Sequence, residues 1–331
     1  MYSPDACYGN RFMLRSIYSF CCMHLILKRG DVLLKSFSEL QKQMAQSESK
    51  TLVVAAAHDY HTLEAVFQTE KVLPMKYILV GNKERILQIS KELSHPIDEK
   101  NIVEAETNEA AAKEAVRLIK SGAGDVLMKG ILETGTLLKA VLDKETGIRG
   151  SGTMSHCAVL EIPAYNKLVG VTDGGMIPYP SLEQKADIIK NAVTFFHHLG
   201  VACPNVAVLA AAESVSEKIP ETGEALSLKE QFAKEDFGCV VEGPISFDLA
   251  VSKESAEIKG YKSMISGETD IMLVPNMVTG NVFCKSLLYW ANAKMAGCVL
   301  GATAPIVLVS RGATAEEKFL SIMLCLGSAS K

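Results

Sequence analysis

The sequence predicts an α/β protein in which helices cover both faces of mostly parallel sheets. Short runs of apolar residues alternate along the chain with segments whose apolar residues recur at helical spacing. The short runs are apolar throughout, which is typical of strands that are buried on both faces. With 331 residues, of which 48% are hydrophobic, the chain is long enough to bury two cores, so we expect two domains.

The first half of the chain repeats a strand-helix unit. Strands are predicted at residues 51–57, 77–80, 102–104 and 125–128, and helices at residues 61–72, 84–93, 110–120 and 134–142. Residues 147–155, GIRGSGTMS, interrupt this alternation with glycine and serine, and we expect the chain to cross between domains there. Helical periodicity begins only at Phe37, so we interpret residues 1–34 as an N-terminal extension outside the fold.

The second half begins with a different arrangement. Residues 158–162 and 168–171 are two predicted strands joined by a short turn, which indicates an antiparallel pair. Further strands are predicted at residues 205–209, 239–241, 270–274, 297–300 and 306–309, with a loop at 242–244. Helices are predicted at residues 182–199, near 227–232, from Phe247, at 282–293 and at 316–326.

Composition and charge exclude several classes of partner. The net charge of -4 and the pI near 6.0 provide no basic surface for nucleic acid or for an anionic membrane. The nine cysteines include no C-x-x-C pair, which indicates reduced thiols in the cytoplasm. No segment approaches the roughly 18 consecutive apolar residues that a membrane-spanning helix needs. These features predict a soluble, cytoplasmic protein.

The turn Ser310-Arg311-Gly312 has the residues expected of an anion site. It follows the last predicted strand, and in open α/β sheets ligands bind at the carboxyl ends of strands. Arginine pairs with phosphate oxygens, glycine lets backbone amides approach, and the next helix points its positive end at the same place. The alternative is a solvated arginine, with Thr314 and Glu317 forming only a capping box for the last helix.

Polar residues follow several other predicted strands. Lys129, Asp173, Glu242 and Asn276 each stand at or near the carboxyl end of a strand. In a doubly wound sheet these ends lie on one side, so we expect the side chains to converge with Ser310 on one crevice. The alternative is that each residue only forms a turn, which is a common role for an aspartate before two glycines.

Thr279-Gly280-Asn281 and Lys285 form a second candidate for anion binding. We expect the triplet to open a helix, so that amides at the helix N-terminus and an ammonium one turn later face the same anion. The spacing G-x-x-x-x-G-K-[ST] of a P-loop is missing. The alternative is an N-cap by Thr279 or Asn281 beside a solvated Lys285.

Several common catalytic motifs are absent from the sequence. There is no G-x-G-x-x-G after a strand, no G-x-S-x-G turn, and no cysteine with an evident histidine partner. His156 is next to Cys157, but adjacent strand residues face opposite sides, so we interpret His156 as a polar loop or interface residue. His58 and His61 have no further ligand at metal spacing, so no metal site is predicted.

Four segments resemble the phosphate acetyl/butyryltransferase family. They are LMKGILETGTLLKAVLDKETGIR, SHCAVLEIPAYNKL with the following VTDGGM, VEGPISFDLAVS, and the stretch from SGETDIMLVPN to SRGATAEEK. The MKG and TDGGM forms look closer to the phosphate butyryltransferase branch. The resemblance covers the chain from about Ser36 and implies two isopropylmalate-dehydrogenase-like domains, an active site in their cleft, and a homodimer or larger assembly. It implies a discontinuous domain of residues 35–152 and 298–331, and a second domain of residues 153–297.

The reaction implied by the resemblance transfers an acyl group from coenzyme A to phosphate. The group is expected to be butyryl or a similar short or branched chain, which fits short-chain fatty acid metabolism. Coenzyme A and phosphate are then substrates, and no tightly bound cofactor is implied. The alternatives are a phosphate acetyltransferase, a metal-dependent hydroxy-acid oxidoreductase of the same fold, and a non-catalytic coenzyme A-binding protein.

The resemblance also implies roles for individual residues. Arg311 would hold phosphate and Ser310 would hydrogen-bond the tetrahedral intermediate. In the acetyltransferase branch an aspartate serves as the base, and the matching position is Glu317, beside Glu316, so both carboxylates are candidates. The candidate substrate-binding residues are Lys129, Asp173, Thr279, Gly280, Asn281, Lys285, Gly312 and Thr314.

Overall fold

A computed structural model describes residues 34–310 and 312–329, and its strands form one eleven-stranded sheet. The strands are β1 (Lys50–Ala55), β2 (Met75–Gly81), β3 (Ile102–Glu104), β4 (Val126–Lys129), β5 (Ser155–Glu161), β6 (Val169–Thr172), β7 (Asn205–Leu209), β8 (Val240–Ile245), β9 (Ile271–Leu273), β10 (Lys294–Leu300) and β11 (Ile306–Val307). Their order across the sheet is β3-β2-β1-β4-β11-β10-β5-β6-β9-β7-β8.

Helices cover both faces of this sheet. They are α1 (Phe37–Met44), α2 (Tyr60–Val72), α3 (Lys83–Glu92), α4 (Asn108–Lys120), α5 (Thr134–Val141), α6 (Leu182–His198), α7 (Pro220–Phe232), α8 (Phe247–Val251), α9 (Lys253–Ile258), α10 (Met277–Trp290) and α11 (Ala315–Ser328). Successive residues of β1 enter different cores: Leu52 and Val54 belong to one, and Val53 and Ala55 to the other. The predicted layered α/β architecture is therefore confirmed. No helix in the described ranges has the length and apolar character needed to cross a membrane.

Most helices begin where a side chain accepts a hydrogen bond from a backbone amide of the first turn. The residues that do this are Ser36, Asp59, Asn82, Thr107, Ser181, Ser252, Asn276 and Thr314. Such caps satisfy amides that have no partner within the helix, which explains why local sequence locates helix starts well.

Every predicted strand and helix is present, but some boundaries differ. The loop predicted at 242–244 is wrong, because β8 continues through these residues to Ile245. Helix α7 starts at Pro220, well before the predicted 227–232. Helix α10 starts at Met277, because Asn276 provides the cap that the alternative interpretation had assigned to Thr279 or Asn281.

The direction of the strands changes in the middle of the sheet. Strands β3, β2, β1, β4 and β11 are parallel to one another, as are β6, β9, β7 and β8. The three pairs β11-β10, β10-β5 and β5-β6 between these blocks are antiparallel. The two parallel blocks therefore run in opposite directions. The expectation that all strand ends lie on one side of the sheet is wrong, because the carboxyl ends of β4 and β11 point in the opposite direction to those of β6 and β9.

The two blocks are joined by β5 and β10, which pair from Ser155 with Leu300 to Glu161 with Lys294. The predicted division into two domains stays a prediction; the first was residues 35–152 with 298–331, and the second was residues 153–297. Leu34, the last residue of the predicted extension, is buried, and its carbonyl accepts a hydrogen bond from Leu168 N–H at 2.8 Å. Residues 1–33, which carry the rest of the predicted extension, lie outside the described residues.

A buried ion pair connects the starts of three strands in the parallel block that contains β6, β9, β7 and β8. Lys167, before β6, donates from Nζ to Asp270 Oδ1 at 2.7 Å and to the Glu268 carbonyl at 2.8 Å. Asp270, before β9, also accepts the backbone N–H of Asn205 in β7 at 2.8 Å. Burial raises the pKa of Asp270 although Lys167 opposes the shift, so the carboxylate depends on these partners.

Candidate active site

One cleft brings together candidate residues from distant parts of the sequence. It has a volume of about 220 Å³ and lies against β5, β10, α10, α11 and the turns after β6 and β11. Its lining residues are His156, Ala158, Gly174, Gly175, Asn281, Cys284, Lys285, Met295, Gly297, Leu308, Val309, Ser310, Ala313, Glu317 and Ser321. Four candidate residues meet here: Asn281, Lys285, Ser310 and Glu317.

The turn after β11 contributes the hydroxyl of Ser310. The backbone N–H of Gly312 donates to Ser310 Oγ at 3.4 Å, and Ala313 N–H donates to the Ser310 carbonyl at 3.1 Å. These bonds close the turn and direct the chain into α11. Arg311, the predicted phosphate ligand, lies outside the described residues.

Glu317 caps its helix and also lines the cleft. Its backbone N–H donates to Thr314 Oγ1 at 3.1 Å, and its Oε2 accepts the Thr314 N–H at 2.8 Å. The capping box that we had weighed against a catalytic role is therefore present, and it fixes the carboxylate at the cleft wall. Glu316 instead accepts Lys294 Nζ at 2.7 Å on the exposed surface, and this pairing raises the pKa of Lys294. Of the two candidate carboxylates, Glu317 lines the cleft and Glu316 does not.

Helix α10 presents two of the candidate residues to the cleft and one elsewhere. Asn281 and Lys285 line the cleft, while Thr279 donates to Asn276 Oδ1 at 3.1 Å and faces another cavity of about 430 Å³. Positions 281 and 285 lie one turn apart, and 279 lies on the opposite side of the helix. Gly280 packs on the turn after β6, where a Cβ would lie 2.9 Å from Gly174 Cα.

Asp173 shapes the turn after β6 and is not among the lining residues. Its carboxylate accepts the backbone N–H groups of Gly175 at 2.7 Å, Met176 at 2.8 Å and Ile177 at 3.2 Å. The turn that it holds carries Gly174, whose carbonyl accepts a bond from Asn281 Nδ2 at 3.5 Å. The turn-forming alternative for Asp173 therefore describes its contacts in this structure.

Lys129 is not among the residues that line the cleft. It is buried at the end of β4, beside β11, and its ammonium donates to the carbonyls of Gly130 at 3.2 Å and Leu132 at 3.0 Å. Glu242 was also predicted to follow a strand, but it lies within β8 and is ion-paired with Lys229. Residues 34–310 and 312–329 contain no group of three histidine, cysteine, aspartate or glutamate residues placed to hold a metal ion.

Comparison with known proteins identifies the family. The family model for Phosphate acetyl/butaryl transferase matches residues 108–326. The chain belongs to this family. It is 38% identical to the phosphate butyryltransferase of Clostridium acetobutylicum over 293 residues, which cover 88% of this chain and 97% of the relative. It is also 38% identical to the phosphate acetyltransferase of Thermotoga maritima over 289 residues, which cover 87% and 98%.

Solved structures agree with the family and the fold. A branched-chain phosphotransacylase from Enterococcus faecalis matches with a TM-score of 0.75 at 31% identity, covering 85% of this chain and 99% of that one. A 4-hydroxythreonine-4-phosphate dehydrogenase from Klebsiella pneumoniae matches in fold alone, with a TM-score of 0.53 at 13% identity and coverage of 86% and 100%. The match to the dehydrogenase agrees with the dehydrogenase-like fold that the sequence predicted for this chain.

The same cleft also contains residues that sequence reasoning missed. The interpretation of His156 as a loop or interface residue is wrong, because it lies in β5 and its ring lines the cleft. Ala158, on the same face of β5, and Met295 of β10 form an apolar part of the lining. The alternation in Ser155–Glu161 puts His156 and Ala158 on one face, but only the tertiary structure reveals what that face lines.

Cys284 also lines the cleft, and its chemistry is that of a neutral thiol. Burial raises its pKa to about 12, and no positive group lowers it. A thiol in this state is a poor nucleophile near neutral pH. The cleft therefore offers a hydroxyl, an amide, an ammonium and a carboxylate beside an apolar surface, but no activated thiol among its described residues.

Proposed function

We propose that the protein is a phosphate acyltransferase that converts acyl-CoA and phosphate into acyl phosphate and coenzyme A. The observation that carries the proposal is the meeting of Ser310, Glu317, Asn281 and Lys285 in one cleft. These residues come from two separate segments of the chain, and together they suit an anion and an acyl group. Membership of the family supports the same reaction.

In the proposed mechanism both substrates are bound before the chemical step. A phosphate oxygen attacks the thioester carbonyl, a C–O bond forms, and the carbonyl oxygen gains negative charge. The C–S bond then breaks and the electron pair leaves with the coenzyme A sulfur. Binding the two reactants side by side supplies much of the rate, because the attack becomes effectively unimolecular.

Each polar residue has a role in this scheme. Lys285, Asn281 and Arg311 bind and orient the phosphate, and the hydroxyl of Ser310 donates to the developing oxyanion. In the reverse direction Glu317 removes the proton of the coenzyme A thiol. Direct attack needs no acyl-enzyme intermediate, which agrees with the raised pKa of Cys284.

We further propose that the acyl group is butyryl or a similar short or branched chain. The apolar residues of the cleft support a chain longer than acetyl, because each buried methylene contributes about 0.8 kcal/mol of binding. The four clearest examples are Ala158, Met295, Leu308 and Val309. Acetyl is the second candidate, since a phosphate acetyltransferase is as similar in sequence as a butyryltransferase.

An assay of phosphate-dependent coenzyme A release from acetyl-, butyryl- and isobutyryl-CoA tests both proposals. We expect turnover with all three and the highest kcat/KM with a four-carbon chain. Highest activity with acetyl-CoA would favour the second candidate. Absence of phosphate-dependent release from all three would overturn the proposed function and favour a non-catalytic coenzyme A-binding protein.

Arg311→Gln tests the phosphate site. We expect turnover to fall about 10²-fold, the scale for losing a preorganised group that stabilises transition-state charge, and the KM for phosphate to rise. Arg85→Gln is the matched control, because Arg85 is exposed on α3 and should leave both constants unchanged. A variant at Arg311 with normal phosphate dependence would refute this assignment.

We also propose a homo-oligomer and a cytoplasmic role in short-chain fatty acid metabolism, with no tightly bound cofactor. An exposed apolar surface on α10 supports self-association. Val278, Val282, Tyr289 and Trp290 are 53%, 64%, 82% and 87% exposed. Large apolar side chains grouped on one helix are typical of a protein-protein contact.

A further inference from the structure

His156 is a cleft residue to which the proposed mechanism assigns no role. Gly175 and Gly297 flank its ring: a Cβ at Gly175 would lie 3.0 Å from the ring Cγ, and one at Gly297 would lie 2.9 Å from Nε2. Side chains at these two positions would therefore collide with the imidazole. The glycines create the space that the ring fills, and the close packing fixes its orientation at the cleft wall.

The Nδ1 atom of His156 is screened from solvent and has no hydrogen-bond partner within residues 34–310 and 312–329. Buried polar atoms in folded proteins are nearly always paired, because an unpaired one loses its bonds to water without replacement. The other buried side-chain atom of this kind in those residues, Ser266 Oγ, lies outside the cleft lining. An imidazole nitrogen without a hydrogen-bond partner, on a ring that lines a cleft, indicates that a bound ligand supplies a hydrogen bond to the ring.

The ring is neutral near neutral pH. Burial lowers the pKa of His156, and the nearby carboxylate of Asp173 opposes this shift without reversing it. A neutral imidazole donates one hydrogen bond and accepts one. It attracts phosphate much less than the ammonium of Lys285 does, and it suits an uncharged carbonyl oxygen.

Both apolar and polar side chains line the cleft together with the ring. Ala158 and Met295 of the adjacent strands are apolar, whereas Ser310 and Asn281 are polar. In an acyl-CoA the carbonyl group connects the apolar chain to the sulfur, next to the point of phosphate attack. With the acyl chain against apolar side chains and phosphate against polar ones, the carbonyl group that connects them lies within the cleft that the imidazole lines.

We propose that His156 is a further catalytic residue, which donates a hydrogen bond to the carbonyl oxygen of the acyl group. This inference rests on the proposed function. When the phosphate oxygen bonds to the carbonyl carbon, the π electrons move onto that oxygen, and they return as the C–S bond breaks. A fixed donor binds the negative oxygen more strongly than the neutral one, so it raises kcat more than it changes KM. No proton leaves His156.

Three substitutions test the donor. His156→Phe keeps a flat ring but removes both nitrogens, and we expect kcat with butyryl-CoA to fall about 10²-fold while the KM for phosphate stays unchanged. His156→Asn places an amide nitrogen near the position of Nδ1, and His156→Gln places one near Nε2. We expect one of these two to recover at least about tenfold of the lost kcat. His61→Phe is the matched control, because that side chain is 72% exposed on α2.

A spectroscopic measurement separates this role from a structural one. Butyryl-CoA without phosphate forms a complex that does not react, so the infrared carbonyl stretch of the bound thioester, isotope-labelled at that carbon, can be recorded. We expect the stretch to lie at lower frequency in the wild type than in His156→Phe, because a hydrogen bond weakens the C=O bond. The Asn and Gln variants provide the same comparison if the Phe variant does not fold.

The possible results are distinct. A normal kcat in His156→Phe, or the same carbonyl frequency in the wild type and in all folded variants, would overturn the inference. Recovery of kcat by Asn or Gln together with a lowered carbonyl frequency would support it. A wild-type protein that releases no coenzyme A with phosphate would instead overturn the proposed function itself.

Discussion

The apolar part of the cleft leads to a quantitative prediction for Ala158→Val. Ala158 is 2% exposed, lies in β5 and lines the cleft, so two added methyl groups enter the space assigned to the acyl chain. Butyryl has two more methylenes than acetyl, and burying them contributes about 1.6 kcal/mol at about 0.8 kcal/mol each. Excluding them should lower the ratio of kcat/KM for butyryl-CoA to that for acetyl-CoA about 15-fold.

The measurement is the release of coenzyme A from each thioester at saturating phosphate. Ala296→Val is the matched control, because Ala296 lies in the adjacent strand β10, is 1% exposed, and belongs to the core on the other face of the sheet. It should lower stability through overpacking without changing the ratio. An unchanged ratio in Ala158→Val, or an equal change in Ala296→Val, would refute the assignment of this surface to the acyl chain.

Two further predictions concern stability and assembly. Asp270→Asn removes the carboxylate that lies 2.7 Å from the buried ammonium of Lys167. We expect the free energy of unfolding, measured by chemical denaturation, to fall by about 3 kcal/mol, because the ammonium stays buried without its partner. A loss below about 1 kcal/mol would contradict the stabilising role of this pair. Trp290 is the single tryptophan and is 87% exposed in the subunit. If subunits assemble through the α10 surface, the fluorescence of Trp290 should shift to shorter wavelength as protein concentration rises, while light scattering measures the mass. A solvent-exposed fluorescence spectrum in a stable oligomer would place the contact elsewhere.

Prediction from the sequence succeeded where short-range physics decides the outcome. The strands of the first block are apolar throughout because both faces are covered, and the run of apolar residues at 51–57 is enough to indicate such a strand. The capping box of Thr314 and Glu317 is equally local, since its two bonds join residues three positions apart. The family resemblance added the reaction, and the comparisons confirm the family.

The candidate site was only partly accessible to the same reasoning. Ser310, Asn281, Lys285 and Glu317 line one cleft, but the expectation that all strand ends lie on one side of the sheet was wrong. Thr279 faces another cavity because it lies on the opposite side of α10 from Asn281 and Lys285. The cap by Asn276 places the whole triplet 279–281 inside the helix, where only part of it can face the cleft.

The sequence by itself determined the secondary structure, the layered α/β class and the family, because periodicity, caps and motifs are properties of neighbouring residues. Only the tertiary structure decided the strand directions, since the position of β10 between β11 and β5 follows from pairing between segments far apart in the chain. The same long-range pairing turned His156 toward the cleft and gave Ala158 and Met295 a shared surface. No local pattern carries that information, because a side chain's partners across a sheet are set by register and order.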